Sequence, residues 1–237
     1  MPVTLTGDVR VQLLGGFGLR CDGRRVELPL SAQRLVAFLA LQEAPLLRLY
    51  VAGVLWPDTS EKRSYANLRS ALWRLRRSGF EIVEAKGANV QLAQGVVVDA
   101  RESAALAKEL LVGNGGTLPP DGTRALDSDL LPDWYDDWVV GERERLRQLR
   151  LHALETLSER LADNGSFALA ADAGLAALRH DPLRETANRA LIRTFIAEGN
   201  PAEAVRHYRT YRGLLERELG LEPSDEMKEL LAFLPTL

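Results

Sequence analysis

A chain containing SEKRSYANLRSALWRLRR at residues 60–77 must cover one side of a helix and leave the other open. The segment has no Gly or Pro and several strong helix formers. Asp58, with Glu61 three residues on, marks its start. On a 3.6-residue wheel Ser64, Leu68, Ala71, Leu72 and Leu75 gather into an apolar stripe that needs a core above it. Arg63, Asn67, Ser70, Arg74 and Arg77 fall on the opposite side, with Trp73 at its margin. From Lys62 to Arg77 there are six basic residues and no acidic one. A helix apolar beneath and cationic above suits the major groove of DNA. The same pattern also describes a solvated face, a membrane-surface segment or a calmodulin-type target, so the rest of the chain must decide.

The 237 residues allow one large domain or two small ones. No apolar run approaches the length of a membrane span, and residues 1–12 lack a signal pattern, so a cytoplasmic protein is expected. The single cysteine, Cys21, cannot form an internal disulfide and reads as a small hydrophobe in a strand. The net charge of −3 conceals an asymmetry: residues 1–100 hold 13 Lys/Arg against 9 Asp/Glu, and residues 101–237 hold 17 against 24. The cationic helix lies in the positive part.

Before that helix, alternation predicts strands at 9–14, 17–21 and 24–28, with Gly15-Gly16 and Asp22-Gly23 as turns. Ser31 is the expected N-cap of a helix carrying Leu35, Phe38 and Leu39. Pro45 precedes a second helix over Arg48–Leu55, and Trp56-Pro57-Asp58 turns into the third. Ser78-Gly79 ends it; strands at 82–83 and 90–92 bracket a hairpin around Lys86, and a short strand follows at 96–98. Three strands, three helices and a hairpin predict a winged helix-turn-helix with an N-terminal sheet. The third helix is then the recognition element and the hairpin the wing. Trp56 and Trp73 also fit core or half-buried packing, and Lys86 fits either a phosphate contact or a solvated turn.

The remainder reads as helices: 101–112, then, after the Gly/Pro-rich segment 113–122, a long helix in which Leu146, Leu149, Ala153, Leu157 and Leu161 keep helical spacing. Trp134, Tyr135 and Trp138 staple its start to the first domain or to its own bundle. Paired helices follow at 166–179, 184–197, 202–219 and 224–234. Gly165/Gly199 and Ala170/Ala204 match at 34 residues, the tetratricopeptide period, which favours a stacked surface for recognition. His152, His180 and His207 are isolated, and neither a metal-ligand spacing, a phosphate loop nor a nucleophile elbow occurs. No catalytic residue, metal or cofactor is therefore expected, and the chain is read as a non-enzyme.

Together, VRVQLLGGFGLRCDGRRVELP, SAQRLVAFLAL and LWPDTSEKRSYANLRSALWRLRR resemble the N-terminal domain of the Streptomyces antibiotic regulatory protein (SARP) family. The stretch from DWYDDWVVGERERL to GLEPSDEM resembles that family's bacterial transcriptional activation domain. The resemblance implies a mainly α fold with small β: an OmpR-like winged helix at 1–99 and a tetratricopeptide-like all-α domain at 100–237. It implies a transcriptional activator, often of a secondary-metabolite (antibiotic) cluster. Such proteins bind direct repeats in promoter DNA as head-to-tail pairs and recruit RNA polymerase, including its sigma subunit. The recognition positions carried over are Lys62, Arg63, Asn67, Ser70, Arg74 and Arg77. Arg69, Trp73 and Lys86 complete the expected DNA-binding set. The family's wing often carries a Gly-aromatic pair, where this chain has Ala88-Asn89. The nucleotide-binding module of larger relatives has no counterpart, so regulation by ATP hydrolysis is not expected. The rival readings are a tetratricopeptide scaffold whose basic helix binds an acidic protein, and a regulator sensing a small-molecule effector.

Overall fold

The computed structural model describes residues 8–112 and 126–232. The predicted loop at 113–122 and the end of the last predicted helix, 233–234, lie outside them. The described residues divide into two compact units: those within Met1–Ser103 together with Ser128–Arg145, and those within Ala104–Asp127 together with Leu146–Leu237.

In the first unit, strands β1 (Val9–Gln12), β2 (Gly18–Cys21) and β3 (Arg24–Arg25) form an antiparallel meander. Strand β7 (Val97–Val98) returns parallel to β1, giving the sheet order β3-β2-β1-β7. Asp22 and Gly23, at φ 49° and 74°, make the tight turn between β2 and β3, where both central residues need positive φ. The alternation of Val9, Val11, Leu19 and Cys21 puts these side chains in the core, as period-two patterning requires.

Helix α1 (Leu30–Ala40) follows. Its N-cap is Pro29 and it has no side-chain cap; Ser31, the expected cap, sits inside the first turn. Proline fixes an extended φ and turns the chain into the helix one residue earlier than a serine cap would. The far end is closed from a distance: the Arg101 guanidinium donates to the carbonyls of Ala40 (2.7 Å), Leu39 (3.3 Å) and Gln42. Those are the orphan acceptors of a helix C-terminus.

Helices α2 (Arg48–Leu55) and α3 (Glu61–Arg76) pack on each other, and α3 packs on α1. Strand β4 (Leu46–Leu47), unforeseen in the sequence, pairs with β6 (Asn89–Leu92), which pairs with β5 (Val83–Lys86). Lys86 and Asn89 face each other across the two-residue loop Gly87-Ala88, tighter than the expected four-residue turn; Gly87 supplies the positive φ of 56°. Three helices closed by a sheet and a hairpin make a winged helix-turn-helix.

Residues 128–145 complete this unit. Leu14 bridges to Leu130, Gly15 donates to Asp129 and Leu131 to Leu13. Trp134 stacks on Phe17 at 6.0 Å, and Trp138 meets Phe38 edge-on at 5.2 Å. Arg34 pairs with Asp136. Arg143 fastens the segment by donating to the carbonyls of Leu130 (2.7 Å), Leu131 and Trp134 (2.8 Å). Of the three aromatics expected to act as a staple, Trp134 and Trp138 do so, and Tyr135 is exposed.

In the second unit the remainder of α4 (Asp99–Val112) and of α5 (Asp137–Asp163) is followed by α6 (Phe167–His180), α7 (Glu185–Ala197), α8 (Pro201–Leu219) and α9 (Asp225–Glu229). Leu146, Ala153 and Leu157 of the long helix are buried, with Leu149 and Leu161 packed at the edge. Gly165 and Gly199 take the same positive φ, 74° and 83°, before α6 and α8, and Ala170 and Ala204 are both fully buried. The 34-residue match is therefore a structural repeat. Asn200 caps α8 by accepting from the Glu203 N–H, and Ser224 caps α9 by accepting from Met227. Arg184 and Glu155 form a shielded pair that Gln148 and Thr186 extend.

Candidate nucleic-acid interface

The α2–α3 turn is built to launch α3. Thr59 bonds the Trp56 carbonyl through its N–H (3.3 Å) and its hydroxyl (3.0 Å), and the Ser60 carbonyl accepts from Arg63 and Ser64 at 2.9 Å. The N-cap is Ser60 and lacks a side-chain bond; Asp58, expected to mark the start, lies two residues before that cap. All five residues of the expected stripe, Ser64, Leu68, Ala71, Leu72 and Leu75, are buried. Ser64 is tolerated there because its hydroxyl donates to the Glu61 carbonyl at 2.9 Å.

The other face is open. Lys62, Arg63, Arg69, Ser70, Trp73, Arg74 and Arg77 are exposed, and Asn67 is half-buried. Ala66, Arg69, Ser70, Trp73 and Arg74 line a shallow hollow on it. The Ser70 hydroxyl donates to Ala66 O at 3.0 Å, leaving its oxygen lone pairs as acceptors. The Arg77 guanidinium carbon lies 4.8 Å from the centre of the Trp73 ring. Among the described residues, no carboxylate pairs with the six cations of 62–77. Arg76 joins them at the edge of a groove between α3 and β5 that Phe80 and Lys86 also line.

The wing cation is placed differently. Lys86 Nζ lies 2.9 Å from Glu84 Oε2, and Glu84 also accepts from Gln91 Nε2 (3.2 Å) and Gln94 N (3.4 Å). The Lys86 hydrogen bond, with these donors, holds the Glu84 carboxyl below the usual carboxylate range, and Glu84 raises the Lys86 ammonium in return. Lys86 is thus compensated where the α3 cations are not. A second basic row lies across the outer face of the N-terminal sheet: Arg10 faces Arg20, and Arg20 faces Arg25. Of the three, Arg10 reaches Asp8 at 3.2 Å. Strand pairing alone brings this row together, and a linear reading does not show it.

Among the described residues, no group of three or more His, Cys, Asp or Glu could hold a metal ion, and no helix is long and apolar enough to cross a membrane. His207 is enclosed by helical neighbours; its Nε2 lies 2.9 Å from Asn188 Oδ1, and burial pushes the imidazole below its ordinary value.

Residues 121–233 match the family described as the bacterial transcriptional activator domain. Over 240 aligned residues the chain is 30% identical to the regulatory protein AfsR of Streptomyces coelicolor, an alignment covering 95% of this chain and 24% of that protein. The chain belongs to the Streptomyces antibiotic regulatory protein family. The AfsR of Streptomyces griseus is 27% identical over 187 residues, covering 74% of this chain and 19% of that protein. This SARP-family chain thus spans about a quarter or less of the curated relatives it matches. Mycobacterium tuberculosis EmbR, solved in complex with a low-affinity phosphopeptide, shares its fold with a TM-score of 0.72 at 18% identity, covering 94% of this chain and 64% of that one. The fold is accordingly an EmbR-like one: a winged-helix region followed by a helical activator domain. In this SARP-family member the activator-domain match begins upstream of 128–145, the segment that packs into the winged-helix unit.

Proposed function

We propose that the chain is a sequence-specific DNA-binding activator in which α3 enters the major groove. The observation that carries this is a helix anchored by five buried residues and presenting six cations that, among the described residues, pair with no carboxylate. Arg63, Asn67, Ser70 and Arg74 face the groove floor, where an Asn pairs bidentately with adenine and an Arg with guanine. Lys62, Arg69 and Arg77 reach phosphates, which set register and salt dependence. Trp73 and Lys86 lie at the margins, and Lys86 contributes least because Glu84 neutralises it.

Residues 1–99 supply the DNA-binding domain and residues 100–237 the activation domain, and residues 128–145 of the latter stretch complete the winged-helix unit. The chain acts in the cytoplasm as a head-to-tail pair on direct repeats about one turn apart, roughly 10–11 bp. It recruits RNA polymerase, including the sigma subunit, and controls a secondary-metabolite cluster. It performs no catalysis and needs no cofactor. Family membership and the EmbR-like fold support this reading.

The 34-residue repeat favours a second use of the same chain: the helical unit presents a stacked surface to a protein partner or an effector. Footprinting upstream of neighbouring genes, with retardation of the protected fragment, separates the two. Sequence-selective retardation lost in Arg74→Ala and Arg77→Ala supports DNA recognition through α3. Undiminished affinity in both variants overturns the α3 assignment, and absence of retardation favours the scaffold.

A further inference from the structure

Trp73 is the one tryptophan among the described residues left mostly open, 57% exposed, on a helix whose buried stripe it does not join. Trp134 and Trp138 have aromatic partners. The ring of Trp73 has a different neighbour: the Arg77 guanidinium carbon lies over its face, 4.8 Å from the centroid. The spacing is i to i+4, so helix geometry puts Arg77 one turn beyond Trp73 on the same side. Arg77 is the C-cap, where α3 ends and the chain turns towards the wing. A long cation at a fraying helix end would otherwise sample many rotamers. A ring beneath the guanidinium carbon restricts the side chain while leaving N–H groups free for an anion, because the cation–π contact uses the ring face.

We infer that Trp73 is a positioning residue: it holds the Arg77 guanidinium edge-out for a backbone phosphate flanking the groove, and makes no base contact of its own. This rests on the proposal that α3 binds DNA. Three features favour a phosphate over a base. Arg77 sits at the last turn, beyond the Arg63–Arg74 face. The fork of an edge-presented guanidinium matches two phosphate oxygens. Arg69, Arg74 and Arg76 share the exposed side of the same helix and, among the described residues, pair with no carboxylate, so the local charge favours an anion.

The test uses the whole chain on a promoter duplex carrying both repeats, titrated at several salt concentrations. Arg77→Ala, Trp73→Ala, Trp73→Phe and the double variant Trp73→Ala/Arg77→Ala are compared after confirming unchanged melting temperatures. Trp73→Ala should weaken binding about two- to five-fold, the worth of an exposed cation–π contact. It should also flatten the salt dependence in the same direction as Arg77→Ala, which loses about 0.9 of slope if one phosphate contact goes. Trp73→Phe should restore most of both, and the double variant should bind no worse than Arg77→Ala alone. The inference is overturned if Trp73→Ala adds its full effect on top of Arg77→Ala, or weakens only certain base sequences, or leaves the salt slope intact. A wild-type chain showing no sequence-selective binding instead removes the underlying DNA reading, a result that cannot be mistaken for the others.

Discussion

His207 shows how a single residue couples packing to solution conditions. Its neutral ring donates Nε2–H to Asn188 Oδ1, while Asn188 donates to the Pro182 and Arg184 carbonyls. Burial lowers its pKa from the ordinary 6.5. The unfolded chain therefore takes up the proton first as pH falls, so stability is full above about pH 6.5 and declines below it until the folded state also protonates. Urea unfolding of the helical unit should show a lower midpoint at pH 5.5 than at pH 7.5. His207→Gln, which keeps a donor for Asn188, should flatten that difference; an unchanged pH slope in the variant would assign the effect elsewhere. Arg143 makes a second residue-scale case. Its three carbonyl acceptors are backbone groups of the turn around Leu131, whose φ of 43° is unusual for a branched residue. Arg143→Ala should cost about 2–3 kcal/mol, since it removes the side-chain donor of the Leu130 and Trp134 carbonyls, while the Leu131 carbonyl keeps the Trp134 N–H. Thermal unfolding followed in the first unit measures it.

At the scale of the element, α3 separates into two sets of residues with opposite mutational signatures. Leu68 is buried on α3, which packs against α1 and α2, so Leu68→Ala should destabilise by about 2–5 kcal/mol while affecting DNA only through loss of folded protein. Arg74→Ala should leave the folding free energy within about 0.5 kcal/mol of wild type, as surface changes do. Its DNA affinity should fall by about fivefold to 150-fold, from about 1–3 kcal/mol per bidentate base contact. The wing gives the contrast. Lys86 is already paired with Glu84, so Lys86→Ala should change affinity less than twofold at physiological salt, a small effect in keeping with a surface pair. Binding isotherms for the three variants, alongside their unfolding curves, distinguish these cases. A Lys86→Ala loss as large as that of Arg74→Ala would show that the wing cation leaves Glu84 on binding DNA.

At the scale of the molecule, the winged helix is not continuous in sequence. Residues 128–145 supply Trp134 and Trp138 to Phe17 and Phe38, an ion pair to Arg34, and backbone bonds to residues 13–15. A fragment ending at residue 99 also lacks Arg101, which closes the end of α1. That fragment should unfold non-cooperatively and bind a hydrophobic dye, whereas one ending at residue 145 should melt in a single transition. Trp138→Ala in the full chain should cost roughly 2–4 kcal/mol, below the value for a wholly buried Trp because Trp138 is half-buried. Equal melting behaviour of the two fragments would show that residues 128–145 are dispensable.

The sequence by itself determined the elements whose causes are local. The α3 stripe, the α2 bounds Arg48–Leu55, the Asp22-Gly23 turn and the 34-residue helical repeat all follow from period, turn chemistry or propensity, which act within a few residues. What only the tertiary structure decided depends on residues distant in the chain. Strand β4 forms because β6 offers it a partner, and two residues between a proline and a helix carry no pattern of their own. The capping of α1 by Arg101, 61 residues from Ala40, leaves no local trace, and neither does the Arg10–Arg20–Arg25 row. Lys86 fits either a phosphate contact or a solvated turn from the sequence; its partner Glu84 is only two residues away, but both side chains share a face only once 83–86 is a strand. The aromatic cluster at 134–138 was visible as a staple, but its partners were not, because burying an aromatic face is satisfied by any apolar surface of the right shape. Local periodicity thus specifies which face of a helix must be covered, and long-range packing alone specifies by what.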